Sequence, residues 1–238
     1  MQNQFRHIKM KKLVVLTGAG MSAESGISTF RDSGGLWEKY HIDDVATPEA
    51  WRKNSALVLD FYNQRRQQLL QVKPNAGHYV LAELEKKFDV QIITQNVDNL
   101  HERAGSSKIL HLHGELTKVR STGTGCEVFE LTPDKFLVQL GDKCPKGYQL
   151  RPHIVWFGEA VPEIDNAIRI VKTADILLII GTSMQVYPAS GLINYVAPKV
   201  PVYLIDPNDV SVYNNHTTVI KKGASEGMLE LKKILKIK

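Results

Sequence analysis

VLTGAGMSAESGISTFRDSGGLW occupies residues 15–37. It begins as a phosphate-binding turn. The apolar run Leu13-Val14-Val15-Leu16-Thr17 empties into Gly18-Ala19-Gly20, and Ala23 fills a third small slot. This is the G-x-G-x-x-G/A pattern after a strand, where small residues let the backbone approach a pyrophosphate. An ordinary dinucleotide fold then returns to a second strand, whose end carries an acid for the ribose about 20 residues on. Here Ser25-Gly26-Ile27-Ser28-Thr29-Phe30-Arg31-Asp32 follows, too polar and too interrupted by glycine for a buried strand. The turn points to a nucleotide, and the long loop behind it needs a further explanation.

Outward from this turn, strand-like and helix-like segments alternate. Short β-rich runs fall at 13–17, 90–94, 109–112, 175–181 and 202–206, with helical patterns at 48–70, 75–87, 163–173 and 225–235. The run Ile176-Leu177-Leu178-Ile179-Ile180 is apolar on both faces, as a strand in a covered parallel sheet must be. The expectation is an α/β fold with a doubly wound, Rossmann-like parallel sheet. Residues 26–70 and 118–150 do not fit this alternation and read as insertions forming a smaller module. The large part would then comprise 8–30, 74–117 and 151–238, and the module 31–73 and 118–150, in one catalytic domain.

Composition sets outer bounds. The 238 residues are 43% apolar, with 30 basic against 25 acidic side chains, as in a globular protein. Much of the basic excess sits near the ends (Lys9, Lys11, Lys12, Lys232, Lys233, Lys236, Lys238) and reads as solvated tails, not a nucleic-acid surface. Residues 1–7 have no apolar core and do not read as a signal peptide. No apolar run approaches the roughly 20 residues of a membrane span. The two cysteines suggest a reducing compartment, so a cytoplasmic location is expected.

Polar sets follow the apolar strands: Gln95-Asn96-Val97-Asp98 after the second, His113-Gly114-Glu115 after the third, Gly181-Thr182-Ser183 after the run at 175–180. Open α/β sheets bind ligands at the carboxyl ends of their strands, so these sets and the glycines would converge on one crevice. Singly, each has a plainer reading. Asn96 and Asp98 suit a helix cap, while His111 and His113, alternating on a strand, suit either half a metal site or structural or solvated positions.

Taken together the segments resemble the sirtuin family of NAD-dependent protein deacylases, in its bacterial form. The resemblance runs in order through Gly18-Ala19-Gly20-Met21-Ser22, Gly26-Ile27, Phe30-Arg31, Thr94-Gln95-Asn96-Val97-Asp98, His113-Gly114-Glu115, Pro152-His153-Ile154-Val155-Trp156-Phe157-Gly158-Glu159 and Gly181-Thr182-Ser183. It implies that the loop after the glycines closes over the nicotinamide ribose. NAD would be consumed as a co-substrate. Gly18, Ala19, Gly20 and Ser183 would hold its phosphates, and Asn96 and Asp98 would line the nicotinamide pocket. Ser22, Ser25, Ile27, Phe30, Arg31, Gln95, Val97, Gly181 and Thr182 would complete the cofactor site, with Asp206 and Ala224 toward the adenosine. The acyl-lysine oxygen would attack C1′ of the ribose, and His113 would serve as general base on the ribose hydroxyls, giving lysine, nicotinamide and O-acyl-ADP-ribose. The stretch 155–159 reads either as a buried strand or, by the resemblance, as the edge where Val155, Phe157 and Gly158 meet the substrate peptide.

The sequence departs from the family in the module. Many sirtuins hold zinc there with two Cys-x-x-Cys pairs; here those positions are Ser121 and Thr124, then Cys144 and Gly147, with Cys126 outside the spacing. One or two thiols do not close a tetrahedral site, so no zinc is expected. Tyr62 and Arg65, three apart on one helix, read as a solvated face or as the Tyr-x-x-Arg of sirtuins that remove succinyl and malonyl groups. The expected activity is therefore an NAD-dependent protein-lysine deacylase acting on acetyl and succinyl or malonyl groups, working as a monomer on acyl-lysine proteins, without nucleic acid or membrane. A protein ADP-ribosyltransferase and a non-catalytic NAD- or ADP-ribose-binding module are the rival readings.

Overall fold

A computed structural model describes residues 10–27, 39–210 and 216–237. Its main sheet has six parallel strands: β1 (Lys12–Thr17), β2 (Asp89–Thr94), β3 (Ile109–His111), β7 (Ile176–Ile180), β8 (Val202–Ile205) and β9 (Thr217–Ile220), in the order β3-β2-β1-β7-β8-β9. Alternate residues enter two cores, as the period of two along a strand requires. Leu13, Val15, Ile92 and Leu178 pack under helices α4 (Ala76–Leu84) and α7 (Ala224–Ile234). Val14, Leu16, Ile93, Leu177 and Leu204 pack on the opposite face under α6 (Ile164–Val171) and the 3-10 helix Ala189–Tyr195. The sheet is doubly wound, as expected. Strand β9 carries too little apolar signal to stand out in the sequence, its four residues being half-buried, exposed, exposed and buried in turn.

The order reverses at β1, which has β2 on one side and β7 on the other. Register aligns the strand ends there, since Thr17 lies level with both Thr94 and Ile180. Gly18, Gln95 and Gly181 therefore emerge side by side at the carboxyl edge, tied by Gly18 N–H to Ile180 O (3.0 Å) and Gln95 N–H to Thr17 O (2.9 Å). This is the place where open α/β sheets accept ligands.

A second, antiparallel sheet joins β4 (Gly114–Ser121) to β5 (Val128–Glu130) and β6 (Leu150–Ile154). Against it lies α3 (Pro48–Gln71), where Leu59 clusters with Val119 and Val138. The helix is preceded by the short α2 (Ile42–Val45) and starts with Thr47 Oγ1 accepting from Ala50 N–H at 3.0 Å and Pro48 in its first turn. It is not one rod: Asn54 leaves helical geometry (φ −153°, ψ 76°), and its side chain caps the second half by accepting from Leu57 N–H. Asn63 and Arg66 anchor that half. Asn63 exchanges two hydrogen bonds with the Val138 main chain, while the fully buried Arg66 donates to Leu116 O and to Asn63 Oδ1, each at 2.9 Å. Burial lowers the Arg66 pKa to about 10.

Beneath the crevice, between α4 and α5 (Leu100–Ala104), two fully buried histidines lie with ring centroids 4.9 Å apart. His78 completes a capping box with Asn75, its Nδ1 accepting from Asn75 N–H. His101 Nε2 meets Thr17 Oγ1 at 3.1 Å. Burial depresses both, His78 to about 4 from the ordinary 6.5, while His101 is lowered further by the nearby His78 and His111. Unfolded, these rings take up protons near pH 6.5; folded, they stay neutral well below it. The unfolded chain thus binds more protons in that window, so stability falls as pH drops from about 6.5 toward 4. The melting temperature should decline over this range, and His78→Gln should flatten the decline, because glutamine can complete the capping box but cannot titrate. An unchanged slope in that variant would assign the acid loss elsewhere.

Candidate active site at the carboxyl edge

The glycine turn is held by backbone contact. Gly20 N–H donates to Gly181 O at 2.8 Å, and a Cβ on Gly181 (φ 59°) would meet Met21 N at 2.3 Å. Only glycine fits there. Ala19 precedes the short helix α1 (Gly20–Ala23), from which Ser22 projects into a buried triad. Ser22 Oγ donates to Asp98 Oδ2 at 2.9 Å and accepts from Asn96 Nδ2 at 3.1 Å. Asp98 Oδ1 also accepts from Leu100 N–H, so it caps α5 as well as joining the triad. Burial raises the Asp98 pKa against the pull of those two hydrogen bonds. The Asn96 side chain has its amide nitrogen engaged by the serine, which leaves its carbonyl oxygen as an acceptor for a ligand.

The chain next to Asn96 is pinned by two histidines. His113 Nδ1 faces Gln95 O at 3.1 Å; a carbonyl only accepts, so Nδ1 carries the proton and Nε2 holds the basic lone pair. Burial lowers its pKa, partly offset by that hydrogen bond. His111 meets Asn96 O with Nδ1 and Glu102 Oε1 with Nε2 at 2.8 Å. Burial opposes its charge, but Glu102 prevails and its pKa is raised. Both of its nitrogens serve the protein, so the half-metal-site reading of this pair is not supported. Among the described residues no group of three histidine, cysteine or acidic side chains is placed to hold a metal. Gly114 (φ 81°), which follows His113 and opens β4, touches His153 O so closely that a Cβ would sit 2.0 Å away.

Residues 18–188 match the Sir2 family. An NAD-dependent protein deacylase of Bacteroides thetaiotaomicron is 63% identical, over 95% of this chain and 98% of its own. A Sir2 homologue solved with NAD superposes with a TM-score of 0.85 at 39% identity, covering 95% of this chain and 90% of that one. A further Sir2 homologue, a mutant solved with 2′-O-acetyl-ADP-ribose, gives 0.83 at 39% identity over 95% and 92% of the two chains. The chain belongs to the Sir2 family.

The other positions expected from the sequence are spread over several elements. Gln95 Nε2 reaches Thr182 Oγ1 at 3.1 Å, bridging the ends of β2 and β7, with Ser183 half-buried next to it. Ser25 accepts from Asn75 Nδ2, and Ile27 and Val97 belong to an apolar cluster with Tyr62, Leu116 and Trp156. Asp206 is buried at the end of β8, with Oδ1 closing a turn on Asn208 N–H. Ala224 buries its methyl in the core with Met228, so only its main chain can face a nucleotide. Phe30 and Arg31 lie outside the described residues.

At the module, Tyr62 is 1% exposed and accepts from Trp156 Nε1 at 3.1 Å, which removes the solvated-face reading for the tyrosine. Burial raises its pKa, so it stays a neutral phenol. Arg65 is half-buried, with its guanidinium 5.8 Å from the Tyr62 ring and within electrostatic reach of Asp98. The stretch after β6 is not a strand. Trp156 is buried, while Phe157 is 45% exposed and Gly158 adopts φ 88°. Val155 N–H bonds His113 O and Phe157 N–H bonds Ala46 O, so these donors are already committed.

Sequence reasoning missed the support beneath the triad. His101 Nε2, Thr17 Oγ1, Thr94 Oγ1 and Asn96 N–H form a continuous hydrogen-bonded line across the ends of β1 and β2. Thr94 and His101 flank the Gln95–Asp98 motif, but a threonine at a strand end carries no such signal alone.

Proposed function

We propose that the chain is an NAD-dependent protein-lysine deacylase that removes acetyl groups and, through Tyr62 and Arg65, succinyl or malonyl groups. The observation that carries the reading is the pairing of an oriented, neutral His113 with the Ser22–Asn96–Asp98 triad at the glycine turn. NAD, consumed as a co-substrate, supplies the activated C1′ of its nicotinamide ribose. The donor set suits it: Gly18 and Gly20, whose own N–H groups are spent on Ile180 O and Gly181 O, let phosphates approach the turn closely, where the Ala19 N–H and the Ser183 hydroxyl can donate, and Asn96 and Asp98 meet a carboxamide. His113 Nε2 would accept the proton of a ribose hydroxyl, so that this oxygen could bond the acyl carbon as the lysine nitrogen leaves it as the free amine. The peptide lies along Val155, Phe157 and Gly158, met by carbonyl groups and the exposed Phe157 ring, which gives little sequence selectivity. Acyl-lysine proteins are the partners, and the enzyme acts as a cytoplasmic monomer without nucleic acid or membrane. Among the described residues no helix is long and apolar enough to cross a membrane.

The same reading has the module fold without zinc. Ser121 Oγ donates to Cys144 Sγ at 3.3 Å, and Val119, Val138 and Leu59 supply an apolar contact at its centre.

Mass spectrometry of an acyl-lysine peptide with NAD tests the reading: deacylation with O-acyl-ADP-ribose supports it, labelled protein indicates a transferase, and no change indicates a binding module. His113→Ala should lower turnover by about 10²–10⁴-fold while NAD binding persists. Because burial lowers the His113 pKa, the basic form survives into mild acid, and the acid limb of kcat/KM should fall below the ordinary 6.5. Arg65→Met should cut desuccinylation by about 30-fold or more relative to deacetylation, as loss of a carboxylate partner costs roughly 2–5 kcal/mol. Equal losses on both acyl groups would return Arg65 to a structural role. Metal analysis of purified protein should find no stoichiometric zinc, and chelators should leave the melting temperature unchanged; a ratio near one per chain would refute the metal-free module.

A further inference from the structure

Trp156 and Tyr62 come from opposite sides of the module interface, 94 positions apart, and meet through one hydrogen bond of 3.1 Å inside an apolar cluster. An indole N–H only donates, so the Tyr62 oxygen is the acceptor and its own proton must point elsewhere. Both side chains are at most 2% exposed, so water does not compete for that oxygen. The hydroxyl belongs to the same helix face as Arg65.

The tryptophan is itself immobilised from three directions. Its main-chain N–H donates to Glu159 Oε2 at 2.8 Å. The Arg151 guanidinium lies over its ring at 3.4 Å and grips both oxygens of the same Glu159 at 2.9 and 3.1 Å. Trp51 packs at 5.8 Å between centroids. Arg120 adds further bonds to Glu159 and to Ile154 O. A charge-assisted, two-pronged clamp of this kind fixes direction as well as position. The indole N–H therefore has one target.

We propose that Trp156 is a positioning residue for acyl selectivity: its indole N–H holds the Tyr62 oxygen so that the phenolic proton is presented to the carboxylate of a succinyl or malonyl group beside Arg65. This rests on the assignment of Tyr62 and Arg65 to the acyl pocket. Accepting one hydrogen bond also strengthens the phenol as a donor, since linked hydrogen bonds polarise one another. An acetyl group has no carboxylate to receive that proton, so the effect belongs to the acidic acyl groups.

The test is the ratio of kcat/KM on succinyl-lysine to that on acetyl-lysine peptides for wild type, W156F, Y62F, the W156F/Y62F double variant and R65M. W156F should lower the ratio by about five- to tenfold, the loss expected of one hydrogen bond, and should do so through KM for the succinyl peptide. Y62F should lower it at least as far, and adding W156F to Y62F should lower it no further. A merely structural tryptophan would reduce both activities together and leave the ratio unmoved. If W156F does not fold, 3-benzothienylalanine at position 156 keeps the double ring without the N–H and gives the same readout. A wild-type ratio in W156F alongside a selective loss in R65M overturns the positioning role and leaves the acyl-pocket reading standing. Additive losses in the double variant also overturn it. A wild type that does not remove succinyl groups overturns both.

Discussion

The close approach of Gly20 to Gly181 sets the geometry from which the site is built. Two parallel strands end at the same level, and their outgoing backbones touch with no side chain between them. Were either residue larger, the turn would lift away from β7, and Ser22, two residues on, would leave Asn96 and Asp98. Because the three are joined through a single hydroxyl, a shift of that hydroxyl breaks both bonds at once. A buried polar cluster tolerates this poorly, since each unpaired group then keeps its desolvation cost.

The second strand delivers its polar residues with equal economy. Asn96 contributes a side chain to the triad and a carbonyl to His111, and its N–H rests on Thr94. Gln95 contributes its carbonyl to His113 and its side chain to Thr182. Most polar groups of Gln95 and Asn96 thus have a fixed partner while the Asn96 Oδ1 stays open to a ligand, which is how a loop at a sheet edge acquires the rigidity that catalysis requires.

The sheet and the site were unequally legible in the sequence. Strands β1, β2 and β7 announce themselves because they are buried on both faces, and the polar residues that follow them cannot be core, so their convergence could be argued from topology. The module could not be read this way. Strand β5 is exposed, half-buried, exposed over three residues, and β4 is interrupted by a register shift, so neither presents a clean alternation. The break at Asn54 was hidden because asparagine is an ordinary resident of a helix surface until its φ is known. The apolar stretch around Trp156 and Phe157 allowed a buried strand as one of its two readings. The structure instead has the strand end at Ile154, and buries one ring while leaving the other at the surface, because the Arg151–Glu159 clamp turns the chain there.

The break at Asn54 separates two problems that an uninterrupted helix would couple. Each residue of an α-helix advances the azimuth by about 100°, so one insertion near the start of a continuous rod would swing every later side chain off its face. Here the second half is capped afresh by Asn54 and clocked by Asn63 and Arg66 against Val138 and Leu116. The phase of Tyr62 and Arg65 is therefore set by the module beside them and not by the distance from Thr47. Length changes in the first turns can be absorbed at the joint, leaving the orientation of those two side chains untouched.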